Sequence, residues 1–190
     1  MTTFEYIAVL VSIIVGLGIA HLLAGVGRLI GDARDTNPYW IHLVWAAYMF
    51  LILIFFWWWE FKFNTLETWT FDLYLFIVMY AVVLYLTVVV LFPRDLPEGG
   101  DFKRYYYDRR AWFFGLLIAQ NAMDFIDSAA KGTDHLMTLG PEYWSWLVIT
   151  TLLYLAAIRW TNERFHGFLA VASLVYMVSW ALRMYETAPV

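Results

Sequence analysis

The sequence predicts an all-α integral membrane protein, a bundle of six transmembrane helices joined by short loops. Of its 190 residues, 63% are hydrophobic and 21% aromatic, whereas soluble domains average about 45–50% apolar residues. Apolar stretches long enough to cross the roughly 30 Å of bilayer hydrocarbon recur along the chain. Lys and Arg concentrate in alternate loops between these stretches, as in proteins that cross a membrane several times.

The predicted spans, taken in order, leave little chain for anything else, so we treat residues 1–190 as a single transmembrane domain. They lie at 5–30, 39–61, 72–92, 111–131, 142–159 and 165–185, and the longest connection is the loop 93–110. No positively charged segment precedes the first span, which favours a retained helix over a cleaved signal peptide.

The distribution of basic residues orients the predicted bundle. Nine of the 12 Lys and Arg residues follow spans one, three and five: Arg28, Arg34, Arg94, Lys103, Arg104, Arg109, Arg110, Arg159 and Arg164. Basic loops stay on the cytoplasmic side. We therefore expect both termini on the non-cytoplasmic side of the cell's inner or plasma membrane. Most acidic residues fall on that outer side, where they would raise the local concentration of cations.

The first span carries small residues on two faces. Gly16, Ala20 and Ala24 form one ridge, and Gly18 and Gly25 lie on a neighbouring face. Small residues let helices approach closely in lipid. We expect this helix to pack most tightly, either at the centre of the bundle or at a contact between subunits of a homo-oligomer.

The second half of the fourth span is polar. Gln120, Asp124, Asp127 and Lys131 are spaced by four, three and four residues, which places them on one helical face with Asn121 beside it. A lipid-facing aspartate at this depth costs at least about 2.5–3.5 kcal/mol. The pattern therefore indicates that the acids face water or the bundle.

Two interpretations of this face remain open. In the first, Gln120, Asn121, Asp124 and Asp127 line a path for a cation or proton. In the second, Asp127 and Lys131 form an ion pair within the helix, and Asp124 only accepts a hydrogen bond from a neighbouring Trp or Tyr.

Three histidines, His21, His42 and His166, map to the cytoplasmic half of different spans. Histidines at similar depth on separate helices can ligate haem or a metal. Their spacing matches no motif, so we expect no cofactor and keep haem or metal binding as an alternative.

The sequence ranks functions without naming a substrate. It contains no selectivity-filter, nucleotide-binding or hydrolase motif and no basic patch for nucleic acid. We expect a non-enzymatic pathway for a cation or proton, in contact with the lipid bilayer and as a homo-oligomer. The alternatives are a haem- or metal-binding redox or accessory subunit, and a structural or lipid-binding subunit.

Overall fold

The computed structural model describes residues 3–32, 34–65, 69–95, 97 and 100–187, and all regular elements within these ranges are helical. The helices are α1 (Thr3–Gly31), α2 (Trp40–Glu60), α3 (Phe71–Leu91), α4 (Phe102–Ala130), α5 (Thr133–Thr138), α6 (Gly140–Arg159) and α7 (Glu163–Thr187), with a 3₁₀ turn at Phe61–Thr65. The prediction of an all-α fold is confirmed for this part of the chain.

Four of the described helices, α1, α2, α3 and α7, are long and apolar enough to cross a membrane. They carry large apolar side chains on their outer surfaces, for example Val9 and Ile13 on α1 and Val175 on α7. Contiguous exposed apolar surface of this kind is typical of contact with lipid. The helices α4 and α6 have 29 and 20 residues but are more polar, so composition alone does not make them spans.

The fourth long helix begins earlier than predicted. The sequence predicts a loop over 93–110, whereas α4 already begins at Phe102. The Asp101 carboxylate accepts hydrogen bonds from the backbone N–H groups of Lys103 and Arg104, at 2.9 and 3.0 Å, and so caps the helix. The charged residues up to Arg110 therefore form the first turns of α4.

The six long helices alternate in direction. At one end, here called the basic end, Arg28 donates to the Pro93 carbonyl at 2.5 Å, and Lys103 pairs with Glu163 at 2.7 Å. The first contact joins the end of α1 to the end of α3, and the second joins the start of α4 to the start of α7. The opposite end, here called the acidic end, holds the pair Glu142–Arg183, at 2.6 Å between α6 and α7. The three basic loops thus meet at one end, as the charge pattern predicts.

The helices pack in two rows. One row runs α1, α3, α4, α6, with each helix packed on the next, and α2 and α7 pack together across it. The side chains of Trp45, Met49, Leu53 and Phe56 on α2 are at most 1% exposed. The helix α2 therefore supplies the centre of the core.

The first helix lies at the edge of the bundle, and α2 takes the central place, which was one of the two positions that we expected for α1. Gly18 and Gly25 face the bundle: a Cβ at Gly18 would lie 3.4 Å from Leu53, and one at Gly25 would overlap the Phe92 ring. Gly16, Ala20 and Ala24 instead form an exposed ridge. The two small-residue faces of α1 thus differ in environment, and a subunit contact at the exposed ridge stays a prediction.

Candidate functional site

Polar side chains of α4 line a cavity of about 410 Å³ at the acidic end of the bundle. All four residues predicted to line a path, Gln120, Asn121, Asp124 and Asp127, contribute to its wall, and Ser128 and Lys131 join them. The helical spacing predicted from the sequence explains why these side chains share one face. The remaining wall comes from α2, α3, α6, α7 and the short segments at this end.

The Lys131 ammonium lies between two carboxylates at this end. Its Nζ is 2.5 Å from Asp127 Oδ2 and 3.5 Å from Glu60 Oε1, and the three side chains are only 4–5% exposed. Nζ also lies 4.8 Å from the centre of the buried Phe63 ring. Since Glu60 ends α2 and Lys131 follows α4, the cluster ties these two helices together.

Negative charge exceeds positive charge in this cluster. Three acidic side chains, Glu60, Asp124 and Asp127, accompany the single ammonium of Lys131. Asp127 Oδ1 and Glu60 Oε2 are buried and have no hydrogen-bond partner among the described residues. A buried carboxylate oxygen without a partner is costly. A proton or a cation arriving through the cavity would offset that cost.

Asp124 is half-buried and held in place by a tyrosine. The Tyr143 hydroxyl donates to Asp124 Oδ2 at 2.9 Å and lies 3.2 Å from Ser128 Oγ. This contact and the Asp127–Lys131 pair are the two contacts expected of a purely structural polar face. The same contacts also fix the carboxylates of a binding site, so they are compatible with both interpretations.

The two amides join α4 to its neighbours. Gln120 Nε2 donates to Thr87 Oγ1 of α3 at 2.5 Å. Asn121 Nδ2 lies 3.0 and 2.9 Å from the hydroxyls of Thr150 and Thr151 on α6. These bonds hold the polar face of α4 between α3 and α6, so Gln120 and Asn121 position the wall of the cavity.

Aromatic side chains make up much of the rest of the wall. Trp146 of α6 stacks on Tyr176 of α7 at 3.6 Å between ring centres, and Trp59 of α2 meets Trp180 of α7 edge to face at 5.5 Å. From the sequence, the run 57–59 is more typical of anchors at the membrane interface. In the structure Trp58 and Trp59 line the cavity.

A packed aromatic cluster lies between the cavity and the basic end. Trp45 contacts the rings of Phe113, Phe114 and Tyr154, with ring centres 5.2–6.2 Å apart. All four side chains are at most 2% exposed. Passage through the bundle would therefore require this cluster to move.

The three histidines make separate contacts near the basic end. His21 Nε2 donates to the Phe92 carbonyl at 2.8 Å, and His42 Nε2 donates to the Leu91 carbonyl at 2.7 Å. His166 Nε2 donates to the Trp160 carbonyl at 2.8 Å, and its Nδ1 accepts from the Tyr106 hydroxyl at 2.8 Å. Each ring thus binds a carbonyl at a helix end. No group of three or more His, Cys, Asp or Glu in the described residues is arranged to hold a metal ion.

Sequence reasoning missed the partners that other helices bring to the cavity. It placed Glu60 only among the acids outside or in the outer half of the bundle, and did not identify its buried contact with Lys131, a residue of the cavity wall. It did not identify Tyr143, Trp146 or Trp180 as parts of a site. Their spacing along the chain carries no signal for this, because their contacts depend on which helices become neighbours.

No protein-family model matches this sequence, and no curated protein or solved structure is detectably similar to it. The geometry of the bundle and its cavity is therefore the basis for inferring a function.

Proposed function

We propose that the protein is a six-span membrane protein that passes a cation or a proton, and that the cavity on α4 is the binding site of this pathway. Packing supports counting α4 and α6 as spans, because both lie in the same row as α1 and α3. The outer face of α6 also exposes Val148, Ile149, Leu152 and Leu155. Such an apolar face is stable in contact with lipid, whereas its exposure to water is unfavourable.

The proposed orientation follows from the charges. The loops at the basic end carry most Lys and Arg residues, so this end faces the cytoplasm and the termini lie on the other side. The cavity then belongs to the outer half of the membrane. We also propose that the protein forms a homo-oligomer, in which each chain would keep its own cavity.

The observation that carries the proposal is the excess of buried carboxylates at and beside the cavity: Asp124 and Asp127 line it, and Glu60 contacts Lys131, which also lines it. Glu60 and Asp127 share one ammonium, and Asp127 keeps an unpartnered oxygen at a cavity that Asp124 also lines. An ionisable group buried inside a membrane protein is by default a candidate for an ion or proton pathway. A cation or a proton would balance the negative charge of these carboxylates.

The aromatic cluster around Trp45 determines from which side of the bundle the cavity can be reached. Since it separates the cavity from the basic end, the proposed binding site would be reached from one side only. Alternating access, in which the site opens first to one side and then to the other, fits this arrangement better than a continuous open pore.

Flux measurements test the proposal. The purified protein in liposomes should dissipate a gradient of H⁺, K⁺ or Na⁺. Asp124→Asn keeps the size of the side chain and its hydrogen bond from Tyr143, so it should fold normally. It should still reduce flux by at least about tenfold, the effect of losing ~1.4 kcal/mol of cation binding. The exposed acid Asp72 on α3 provides the matched control, Asp72→Asn, with flux unchanged.

Two results would count against the proposal. The first is an unmutated protein that dissipates none of the three gradients and also carries no organic cation across the liposome membrane. The second is an Asp124→Asn protein that melts at a lower temperature in detergent but keeps its flux per folded molecule. That result would make Asp124 a structural acceptor and favour a structural or lipid-binding subunit.

A further inference from the structure

The size of the cavity fits an organic molecule better than a bare metal ion. Its volume of about 410 Å³ falls within the range of about 300–1,000 Å³ found for small-molecule sites. A metal ion instead needs several ligand atoms converging at about 2.0–2.6 Å. No group of three or more His, Cys, Asp or Glu in the described ranges offers such a set.

The wall supplies surfaces that attract an organic cation. Four tryptophans, five tyrosines and one phenylalanine line the cavity, among them Trp59, Trp146, Tyr176 and Trp180. The faces of these rings are electron-rich and attract ammonium groups, with indole the strongest. The same rings contact hydrocarbon favourably. An aromatic wall of this kind suits a guest that is both charged and apolar.

The polar side of the cavity supplies the matching charge. Asp127 is 3% exposed and keeps Oδ1 without a partner, and Asp124 is fixed at the same wall by Tyr143. The Lys131 ammonium is already bound to Asp127 Oδ2 and Glu60, so it is not available to attract an anion. An anionic guest would meet uncompensated carboxylates, whereas an ammonium group would donate hydrogen bonds to them.

We infer that the cavity binds an organic ammonium ion, with its nitrogen at Asp124 and Asp127 and its apolar part between the aromatic rings of α2, α6 and α7. This inference deepens the proposed function, because it names the class of cation that the pathway takes. It adds selectivity for size and hydrocarbon content, which a site for inorganic ions or protons lacks.

Equilibrium dialysis of phenethylammonium against the protein in phosphatidylcholine nanodiscs tests the inference. We expect saturable binding of one molecule per chain. A large excess of 2-phenylethanol, which has nearly the same shape without the charge, should not displace it, and neither should K⁺. Asp124→Asn should weaken binding by at least about tenfold because it removes the paired charge. Asp72→Asn, on the outer surface of α3, should leave binding unchanged.

The aromatic wall is tested by a second pair of variants. Trp180→Leu should weaken phenethylammonium binding severalfold, and Trp180→Phe should restore part of it, since a ring face returns. Trp160 is 60% exposed at the basic end and does not line the cavity. Trp160→Leu is therefore the matched control and should bind like the unmutated protein.

Several outcomes overturn the inference: no saturable binding to the unmutated protein, equal binding of 2-phenylethanol, or binding unaffected by both Asp124→Asn and Trp180→Leu. Competition in the unmutated protein decides the matter even where a variant fails to fold. Flux of H⁺ or K⁺ without phenethylammonium binding would keep the proposed function and reject the organic guest. Binding of phenethylammonium without flux of any cation, phenethylammonium included, would support the organic guest and reject transport.

Discussion

At the scale of single residues, Lys131 is a buried cation whose charge must be balanced by its neighbours. Its ammonium is buried between carboxylates from two helices and lies close to the Phe63 ring. Burying charges is tolerated only when they are paired, and removing one member leaves the other exposed to the full cost of desolvation. The stability of the acidic end should therefore depend on this one side chain.

Lys131→Met should lower the free energy of unfolding by about 3–5 kcal/mol, the usual loss when one partner of a buried ion pair is removed. The physical reason is that Glu60 and Asp127 would face each other without an intervening cation. Unfolding by a denaturing detergent in mixed micelles, followed by circular dichroism, measures the change.

The triple variant Lys131→Met, Glu60→Gln, Asp127→Asn provides the control, because it removes the charges together. It should recover most of the lost stability, since neutral groups of similar shape replace a buried ion cluster at little cost. A Lys131→Met protein as stable as the unmutated one would show that the cluster contributes nothing to stability.

Half of this cluster could be predicted from the sequence. The spacing of Asp127 and Lys131 allows an ion pair within the helix, which was one of the two open interpretations of this face, and the structure contains that contact. Glu60 could not be assigned, because a carboxylate at the end of a span is normally exposed to water at the interface. Its burial follows from the packing of α2 beside α4, and no local pattern in the sequence encodes that packing.

At the scale of helices, α1 shows how one element presents two different surfaces. Gly25 faces Phe92, which is 1% exposed and packed between the rings of His42 and Phe102, so the ring has no room to move. Gly16 faces open space, where an added Cβ meets nothing within 4 Å. The same residue type thus has a steric role at one position and none within the chain at the other.

Gly25→Ala should destabilise the protein by about 1–3 kcal/mol, the usual cost of overpacking a well-filled core. Gly16→Ala is the matched control and should be neutral or slightly stabilising, because alanine favours the helix over glycine by up to about 1 kcal/mol. Thermal melting in detergent measures both effects.

Mass measurement of the two variants in detergent adds information about assembly. Dissociation of an oligomer by Gly16→Ala would show that the exposed ridge of α1 is a contact between subunits. Equal melting temperatures for the Gly25→Ala and unmutated proteins would contradict the close packing of α1 against the end of α3.

The start of α4 shows the limit of hydropathy as a guide to helix boundaries. Residues 102–110 are too charged to be read as part of a span, yet they continue the helix towards the basic end. The available signal was Asp101, an N-cap residue followed by a long stretch without Gly or Pro before Gly115. Apolar length marks where a helix enters lipid, and caps mark where it begins.

At the scale of the whole molecule, the alternating direction of the long helices leads to a test of topology. Reporter fusions after residues 36, 98 and 162 should give cytoplasmic signals, and fusions after residues 66 and 137 should give the opposite. The reason is that the basic residues of three loops meet at one end, and basic loops are retained in the cytoplasm. A cytoplasmic C-terminus would contradict the six-span arrangement.

The order of the six long helices along the chain could be predicted, but the short helix α5 and the neighbours of each helix could not. Six long helices with short connections follow from apolar length and turn positions. The pairing of α2 with α7, and hence the meeting of Trp59 with Trp180, depends on side-chain shape across more than a hundred residues of sequence. The aromatic wall of the cavity is a product of that pairing.

The histidine contacts hold the basic end of the bundle in a different way from the acidic end. At the basic end His21, His42 and His166 fasten one helix to the backbone of another or to its end, whereas at the acidic end pairs of side chains such as Glu142 and Arg183 hold α6 to α7. A rotation about the basic end, with the histidine contacts as its hinge, would leave those contacts in place. A helix of 21 residues, like α2, is about 30 Å long, so tilting it by about 5° at the hinge displaces its far end by about 3 Å. Because the helices are long, a small rotation at the basic end would change the width of the cavity at the opposite end more than any distance near the basic end.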